Sequence, residues 1–170
     1  MSAAFATMAS PAGELTLVAE ERGLAAILWP ADDGARVRLD RGVDDPGRPV
    51  LVAAMRQLEE YFAGSRRTFD LPLAPRGNDF QRRVWALLRD IPYGATRSYG
   101  QLATSLGSVG LARAVGAANG LNPLSIVVPC HRVVGSGGEL VGYAGGLDRK
   151  RFLLGLEAEQ PSGPETGRLF

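Results

Sequence analysis

The chain has 170 residues, of which 45% are hydrophobic, and it carries a formal net charge of +1. This length and composition are typical of a globular protein and exclude a disordered chain. No apolar run is long enough to span a bilayer and no secretory signal is visible, so we expect a cytoplasmic, reducing location and no membrane partner. One cysteine and one histidine cannot supply the four ligands of a structural zinc site, so we expect no metal and no cofactor.

Charge is distributed unevenly along the chain. Residues 1–75 contain 8 Arg and 11 acidic residues, a net of −3, whereas residues 76–151 contain 10 Arg or Lys and 4 acidic residues, a net of +6. A basic segment of this kind favours a polyanionic partner such as nucleic acid, although a solvated charged face would have the same composition.

The first 75 residues predict a small sheet with one helix. Residues 14–29 indicate two short strands around a polar turn, and residues 36–39 indicate an edge strand inside a loop-like stretch. Apolar residues at helical spacing predict a helix over 50–62, which Gly64 ends. A further strand is predicted over 67–73, and the Pro- and Gly-rich stretch "PLAPRGND" predicts a domain boundary near residue 75.

Residues 76–158 are predicted to form a second, mostly helical domain, with a frayed tail after it. Asn78 or Asp79 is suited to cap a helix, and Ser98 is suited to cap the helix that follows. Two short helices over 99–106 and 111–118, joined by a glycine-containing turn, predict a helix-turn-helix. An ordinary helical hairpin is the alternative. After the helix-turn-helix we predict a buried extended segment ("LSIVVP", residues 124–129), a shaped glycine-rich loop ("GSGGELVGYAGG", residues 135–146) and a last helix over 148–159.

The only cysteine, Cys130, is followed directly by the only histidine, His131. A thiol with a free pKa of about 8.5 needs a base or positive surroundings to act as a nucleophile at neutral pH. If Cys130 continued the extended segment, however, His131 would point to the opposite face. Direct contact therefore requires a sharp turn after Pro129, and otherwise a bridging water would carry the proton. A buried, inert cysteine is the alternative.

The motif "VPCHRVVGSGG" resembles the active-site motif of the O6-alkylguanine-DNA alkyltransferases, in their bacterial form. "DFQRRVWALLRDIPYGATRSYGQLA" is similar to the family's helix leading into its helix-turn-helix, and "ARAVGAANGLNP" to its recognition helix and asparagine hinge. "GYAGGLDRKRFLLGLE" is similar to its substrate loop and final helix. The resemblance covers about residues 7–157, in the same order and spacing, and is looser in the N-terminal half.

The resemblance implies an α+β fold and a direct-reversal DNA repair enzyme that flips an alkylated guanine out of double-stranded DNA. Cys130 would accept the alkyl group irreversibly, once per molecule, from O6-alkylguanine and also from O4-alkylthymine. His131 would take the thiol proton through a water, with Glu157 orienting it. Tyr99 would donate a proton or hydrogen bond to the leaving guanine, and Asn122 would hold the site together.

The resemblance also implies DNA-binding and pocket residues. Binding would be through the minor groove, with Arg113 entering the base stack. The residues implied to contact DNA are Ser98, Tyr99, Ala112, Arg113 and Ala114, and those implied to line the guanine pocket are Val133, Tyr143, Ala144, Gly145 and Lys150. Several members have serine in place of Ala144, which bears on pocket selectivity. The protein is expected to be a monomer in solution, and cooperative binding along DNA is compatible with the resemblance.

Two other functions stay open at the level of residues. A transcription regulator would explain the basic segment and the helix-turn-helix, with Cys130 structural. A cysteine hydrolase would explain Cys130, His131 and a carboxylate, but not the helix-turn-helix.

Overall fold

The computed structural model describes residues 2–32, 34 and 36–159. Its N-terminal half is built on a four-stranded sheet. Strands β1 (Ala4–Met8), β2 (Leu15–Glu20) and β3 (Gly23–Leu28) pair antiparallel, and β4 (Val43–Asp44) joins β1 in parallel, so the order is β3-β2-β1-β4. The predicted strand pair is confirmed, and the sheet is mixed because of its short parallel edge.

The predicted helix of the N-terminal half is α1 (Pro49–Phe62), which packs on this sheet. Proline suits the first turn of a helix because its missing N–H would have no partner there. The chain leaves the helix through Gly64, whose φ of 83° is readily adopted only by glycine. The buried face of α1 includes Leu51, Leu58 and Tyr61, so the Tyr61 side chain points into the core.

Two predicted strands of this half are wrong. Residues 36–39 form no strand: the Arg36 guanidinium is bound to Asp32 and to backbone carbonyls of the C-terminal half, and the edge of the sheet is β4 instead. Residues 67–73 make only an isolated bridge between Leu73 and Leu24. Pro72 has no N–H to give to a ladder, so this segment runs past the sheet with a single pair of bonds around Leu24.

The C-terminal half is mostly helical, as predicted. Asn78 caps α2: its side chain accepts from Gln81 N (2.8 Å), and the Gln81 side chain accepts from Asn78 N (2.9 Å). Ser98 forms the same reciprocal cap on α3. The helices are α2 (Asp79–Arg89), α3 (Tyr99–Ser105), α4 (Ala112–Gly120) and α5 (Leu147–Glu159), and a short parallel pair consists of β5 (Arg97–Ser98) and β6 (Val133–Val134).

Helices α3 and α4 form the predicted helix-turn-helix and pack on each other, and α4 also packs on α2. The Trp85 indole of α2 donates to the Ala118 carbonyl of α4 at 2.8 Å, which anchors the second helix of the motif. One continuous hydrophobic core includes residues of both halves, among them Leu17, Leu58, Leu88, Val115 and Leu153. Within the described ranges, no helix is both long and apolar enough to cross a membrane, and the predicted tail from residue 160 lies outside those ranges.

Candidate active site

A buried turn, not an extended strand, carries the chain into Cys130. Residues 124–129 are buried as predicted, but the chain folds back so that Val128 N donates to Leu124 O at 2.9 Å. The Asn122 side chain closes this turn, since its amide donates to Val128 O (2.8 Å) and its carbonyl accepts from Leu124 N (3.0 Å). Ile126 has a φ of 76°, a rare conformation for a β-branched residue.

Cys130, His131 and Arg132 then form one turn of 3-10 helix. Pro129, with ψ of 66°, makes the sharp turn that precedes it. The premise that Cys130 continues a strand, with His131 on the opposite face, is therefore wrong. A 3-10 turn spreads its three side chains around the helix axis, so Cys130 and His131 do not alternate between two faces as in a strand. All three residues of this turn are buried.

His131 is held by a carboxylate of the last helix. Its Nε2 lies 2.7 Å from Glu157 Oε2, and both side chains are almost completely buried. Because an ionised carboxylate only accepts, the proton of this bond must lie on Nε2. The lone pair of the neutral ring is then on Nδ1, which is buried and makes no hydrogen bond to any described residue. Nδ1 is therefore the ring nitrogen that can accept a proton.

Glu157 accepts hydrogen bonds from four of the described residues. Besides His131, Arg132 binds both oxygens (2.8 and 2.9 Å), Tyr61 donates from α1 (2.7 Å) and Gly94 N donates at 3.3 Å. Burial alone would raise the pKa of this carboxyl, but the bonds from His131 and Arg132 hold it well below its ordinary value. Glu157 is therefore a charged anchor. Sequence reasoning found it but missed Arg132 and Tyr61.

The Cys130 thiol and the His131 imidazole are both shifted toward their neutral forms. Burial raises the pKa of the Cys130 thiol, and the neighbouring Asn122 amide offsets only part of that effect. Burial also lowers the pKa of His131, although Glu157 opposes the shift. Cys130 is 3% exposed and His131 is fully buried. The site at rest therefore contains a thiol and a neutral imidazole, so any attack by sulfur has to include a proton transfer.

A small cavity of about 130 Å³ opens onto Cys130. The helix-turn-helix forms one side through Tyr99, Gly116 and Asn119, and the glycine-rich loop forms the other. The Tyr99 hydroxyl donates to Val141 O of that loop at 2.9 Å, so the two sides are joined. The remaining lining residues are Gly120, Gly142, Tyr143 and Ala144. The structure thus brings the predicted residues Cys130, Tyr99, Tyr143 and Ala144 to one cavity.

Three other predicted pocket residues lie behind this lining. Lys150 is fully buried and donates to Val141 O and Gly142 O at 3.2 and 3.1 Å, so its ammonium holds the glycine-rich loop. Val133 is fully buried in the core after the Cys130 turn. Gly145 lies flat against the Trp29 ring, where a Cβ would come within 2.8 Å of the indole.

The residues predicted to contact DNA lie around the start of α4 and α3. Arg113 and Ala114 are exposed at the beginning of α4, and Ala112 is half-buried beside them. Ser98 is half-buried and uses its hydroxyl to cap α3. Arg113 lies one helical turn from Gly116, which lines the cavity.

The N-terminal half supports the cavity wall through residues that sequence reasoning missed. The Trp29 indole donates to Ser125 Oγ at 3.1 Å and its ring packs edge-on against Tyr143, with centroids 6.0 Å apart. Arg36 donates to the backbone carbonyl of Asn122 at 2.7 Å and also forms an ion pair with Asp32. Both contacts join segments about 90 residues apart in sequence, which no local pattern reveals.

The fold and the site together define a two-part α+β protein whose helix-turn-helix borders a buried cysteine–histidine–carboxylate site. A family model described as "6-O-methylguanine DNA methyltransferase, DNA binding domain" matches residues 79–159, and one for the "ribonuclease-like domain" of the same proteins matches residues 4–75. The chain belongs to the 6-O-methylguanine DNA methyltransferase family.

Named relatives are similar over almost the whole chain. A methylated-DNA–protein-cysteine methyltransferase of Methanosarcina acetivorans is 46% identical over 90% of this chain and 97% of its own, and one of Mycolicibacterium paratuberculosis is 48% identical over 90% and 91%. The solved O6-methylguanine methyltransferase of Mycobacterium tuberculosis has a TM-score of 0.84 at 46% identity, covering 96% of this chain and 98% of that one. The protein OGT of the same organism, solved in complex with DNA, has a TM-score of 0.83 at 47% identity, covering 92% and 94%.

Proposed function

We propose that this protein repairs DNA by moving the alkyl group of O6-alkylguanine, and of O4-alkylthymine, in double-stranded DNA onto Sγ of Cys130. The observation that carries the proposal is the position of Cys130. It lies at the base of a cavity that α4 of the helix-turn-helix borders, with the His131–Glu157 pair behind it. A regulator with a structural cysteine would have no use for that pair, and a hydrolase would have none for the helix-turn-helix.

The reaction is a single displacement. The thiol proton passes to Nδ1 of His131 through a water, because that nitrogen carries the lone pair and makes no direct bond to the thiol. The sulfur then forms a bond to the alkyl carbon as the bond from that carbon to the base oxygen breaks. Tyr99 stabilises the charge developing on the leaving base. The base then takes up one proton from water and the imidazolium of His131 releases one to water, so the thiol proton is balanced by the proton on the repaired base. The product is a thioether on Cys130, which no group of the site can cleave, so each molecule reacts once.

The damaged base has to leave the duplex to reach this cysteine. Its reactive atom is inaccessible within the stack. Arg113, exposed at the start of α4, would fill the space that the flipped base leaves, while Ser98, Ala112 and Ala114 would contact the backbone of the minor groove. The cavity of about 130 Å³ is smaller than most ligand pockets, which begin near roughly 300 Å³. The glycine-rich loop therefore has to move, exchanging the bond between Tyr99 and Val141 for one to the base.

The remaining assignments follow from this mechanism. Asn122 would keep the Cys130 turn closed, and Tyr143, Ala144, Gly145, Val133 and Lys150 would shape or support the base pocket. Residues 1–75 would form a supporting domain and residues 76–158 the DNA-binding and transfer domain. The protein would act in the cytoplasm as a monomer without a cofactor, and binding of several copies along DNA is compatible with the exposed helix-turn-helix.

Mass spectrometry of the intact protein tests the proposal. After incubation with a duplex carrying O6-methylguanine, we expect a gain of one methyl group that saturates at one per protein and maps to the Cys130 peptide. Cys130→Ser should still bind the duplex but gain nothing. Unmodified wild-type protein would favour the regulator, and continuing turnover would favour the hydrolase. Either result would exclude the proposed function.

A further inference from the structure

We propose that Tyr61, in the N-terminal half, is a positioning residue for the His131–Glu157 pair. This inference rests on the proposed function, since it concerns the proton acceptor of the same reaction. It gives the N-terminal half an indirect part in the chemistry, because Tyr61 belongs to α1 and is 96 residues away from Glu157 in sequence.

The contact is short, buried and aimed at one oxygen. Tyr61 Oη lies 2.7 Å from Glu157 Oε2, the same oxygen that is 2.7 Å from His131 Nε2. Tyr61 is fully buried and Glu157 is 2% exposed, so water does not replace the bond easily. Three donors thus meet on this carboxylate oxygen: His131 and Nη2 of Arg132 come from the C-terminal half, and Tyr61 is the donor from the N-terminal half.

The direction of the bond is fixed by the charges. Glu157 is ionised and only accepts, so the phenol must donate. Burial and the Glu157 charge raise the pKa of Tyr61 well above its ordinary value, which keeps that proton on the phenol. A donor on Oε2 draws electron density from the oxygen that faces His131. The Tyr61 hydroxyl therefore limits how far Glu157 raises the pKa of His131, and it holds Oε2 in line with Nε2 of the ring.

Other groups act on the same ring and define what a pH measurement would report. His131 is faced by Glu157 and Lys150 of α5 and by Arg132 of its own turn, and the Tyr143 ring lies edge-on at 6.5 Å. Arg132 already fixes the plane of the carboxylate through both oxygens. What Tyr61 adds is confined to Oε2, so removing its hydroxyl should leave the ion pair intact while raising the pKa of His131.

A purely packing role for Tyr61 is the competing explanation. Its ring contacts Phe62, Phe69 and Tyr93, with centroids 5.3, 5.7 and 6.2 Å away. Tyr61→Phe keeps that ring and removes only the hydroxyl. Tyr93→Phe is a matched control, because it is a neighbouring aromatic residue whose buried hydroxyl has no hydrogen-bond partner among the described residues.

The experiment compares single-turnover alkyl transfer by the full-length wild type, Tyr61→Phe and Tyr93→Phe across pH, followed by protein mass. The substrates are an O6-methylguanine duplex and free O6-benzylguanine. We expect Tyr61→Phe to be slower by about three- to tenfold on both, a small part of what general acid–base catalysis contributes. We also expect the acid limb of its pH–rate profile to move to higher pH. With the pKa of His131 raised, the imidazole is protonated, and so unable to act as a base, already at a higher pH. Tyr93→Phe should match the wild type in rate and profile.

A double variant identifies the route. In a Glu157→Gln background, Tyr61→Phe should slow transfer no further, since the charge on which it acts is gone. An unchanged rate in Tyr61→Phe, a slower rate with an unmoved acid limb, or a full additional loss in the double variant would each overturn the inference. Absence of transfer in the wild type would instead refute the proposed function, so the two failures are distinguishable.

Discussion

Replacing Arg132 with methionine should expose how much the buried charge cluster depends on one guanidinium. Arg132 is 6% exposed and donates through Nε and Nη2 to both oxygens of Glu157, and through Nη1 to Ile91 O at 2.7 Å. Methionine fills similar space but leaves a buried carboxylate with weaker compensation and a backbone carbonyl without its donor. Removing one partner of a buried ion pair lowers the free energy of unfolding by about 3–5 kcal/mol.

Thermal and urea unfolding at neutral pH measure this loss. For a chain of this size, about 3–5 kcal/mol corresponds to a decrease in Tm of roughly 10 °C, which leaves a folded but less stable protein. Arg151→Met is the matched control. Arg151 is 65% exposed and pairs with the exposed Asp148, so we expect no measurable change.

The loss in Arg132→Met should also depend on pH. Arg132 helps to hold the pKa of Glu157 below its ordinary value, and the stability that such a lowered pKa provides is present above the unfolded-state value of about 4.3. It is lost as pH falls from there toward the folded-state pKa. The difference in the free energy of unfolding between the wild type and Arg132→Met should therefore become smaller below about pH 4. A loss under about 1 kcal/mol at neutral pH, or a gap that stays constant in acid, would refute the role assigned to this ion pair.

Three further outcomes are expected. Arg113→Ala should slow repair of a duplex by about tenfold or more, because unstacking a base costs a few kcal/mol, yet react normally with free O6-benzylguanine; equal losses on both substrates would contradict the proposed insertion. His131 is the only histidine, and burial lowers its pKa, so urea unfolding should show stability falling as pH drops below about 6.5; His131→Gln should abolish that fall, and a persisting fall would assign it elsewhere. Lys150→Met should speed amide hydrogen exchange in residues 135–146, because the two bonds to Val141 O and Gly142 O are lost; unchanged exchange would show that the loop does not need this lysine.

Features encoded within a few residues could be predicted from the sequence. Asn78 and Ser98 each cap a helix together with a glutamine three residues later, and all the groups involved lie within one helical turn. The α1 helix follows in the same way from the spacing of its apolar residues and from Gly64. The cysteine–histidine pair could be found because the motif around Cys130 is contiguous.

Features that depend on a distant partner could not be predicted. Residues 124–129 are mostly apolar and three of them are β-branched, which favours a strand. The side-chain amide of Asn122 instead bonds to Val128 O and Leu124 N, as a neighbouring strand would, and closes the segment into a turn. Residues 36–39 have strand-like alternation, but Arg36 is directed to Asp32 and to the Asn122 carbonyl. In both cases one polar side chain outweighs the local preference by satisfying backbone or charged groups that would otherwise be buried alone.

The high pKa of the Cys130 thiol is consistent with an acceptor that can be used only once. A thiolate reacts with oxidants and stray alkylating agents, and under the proposed function any such reaction would inactivate the molecule permanently. Burial favours the protonated form of Cys130 and the neutral form of His131, whose buried Nδ1 makes no hydrogen bond to any described residue. A nucleophile that is regenerated after each reaction would gain speed from a lowered pKa. A nucleophile that is used only once is better protected if its thiol loses its proton only when the substrate is present. Under the proposed function, the buried charged groups around Glu157 would hold His131 in position as the base without ionising the sulfur.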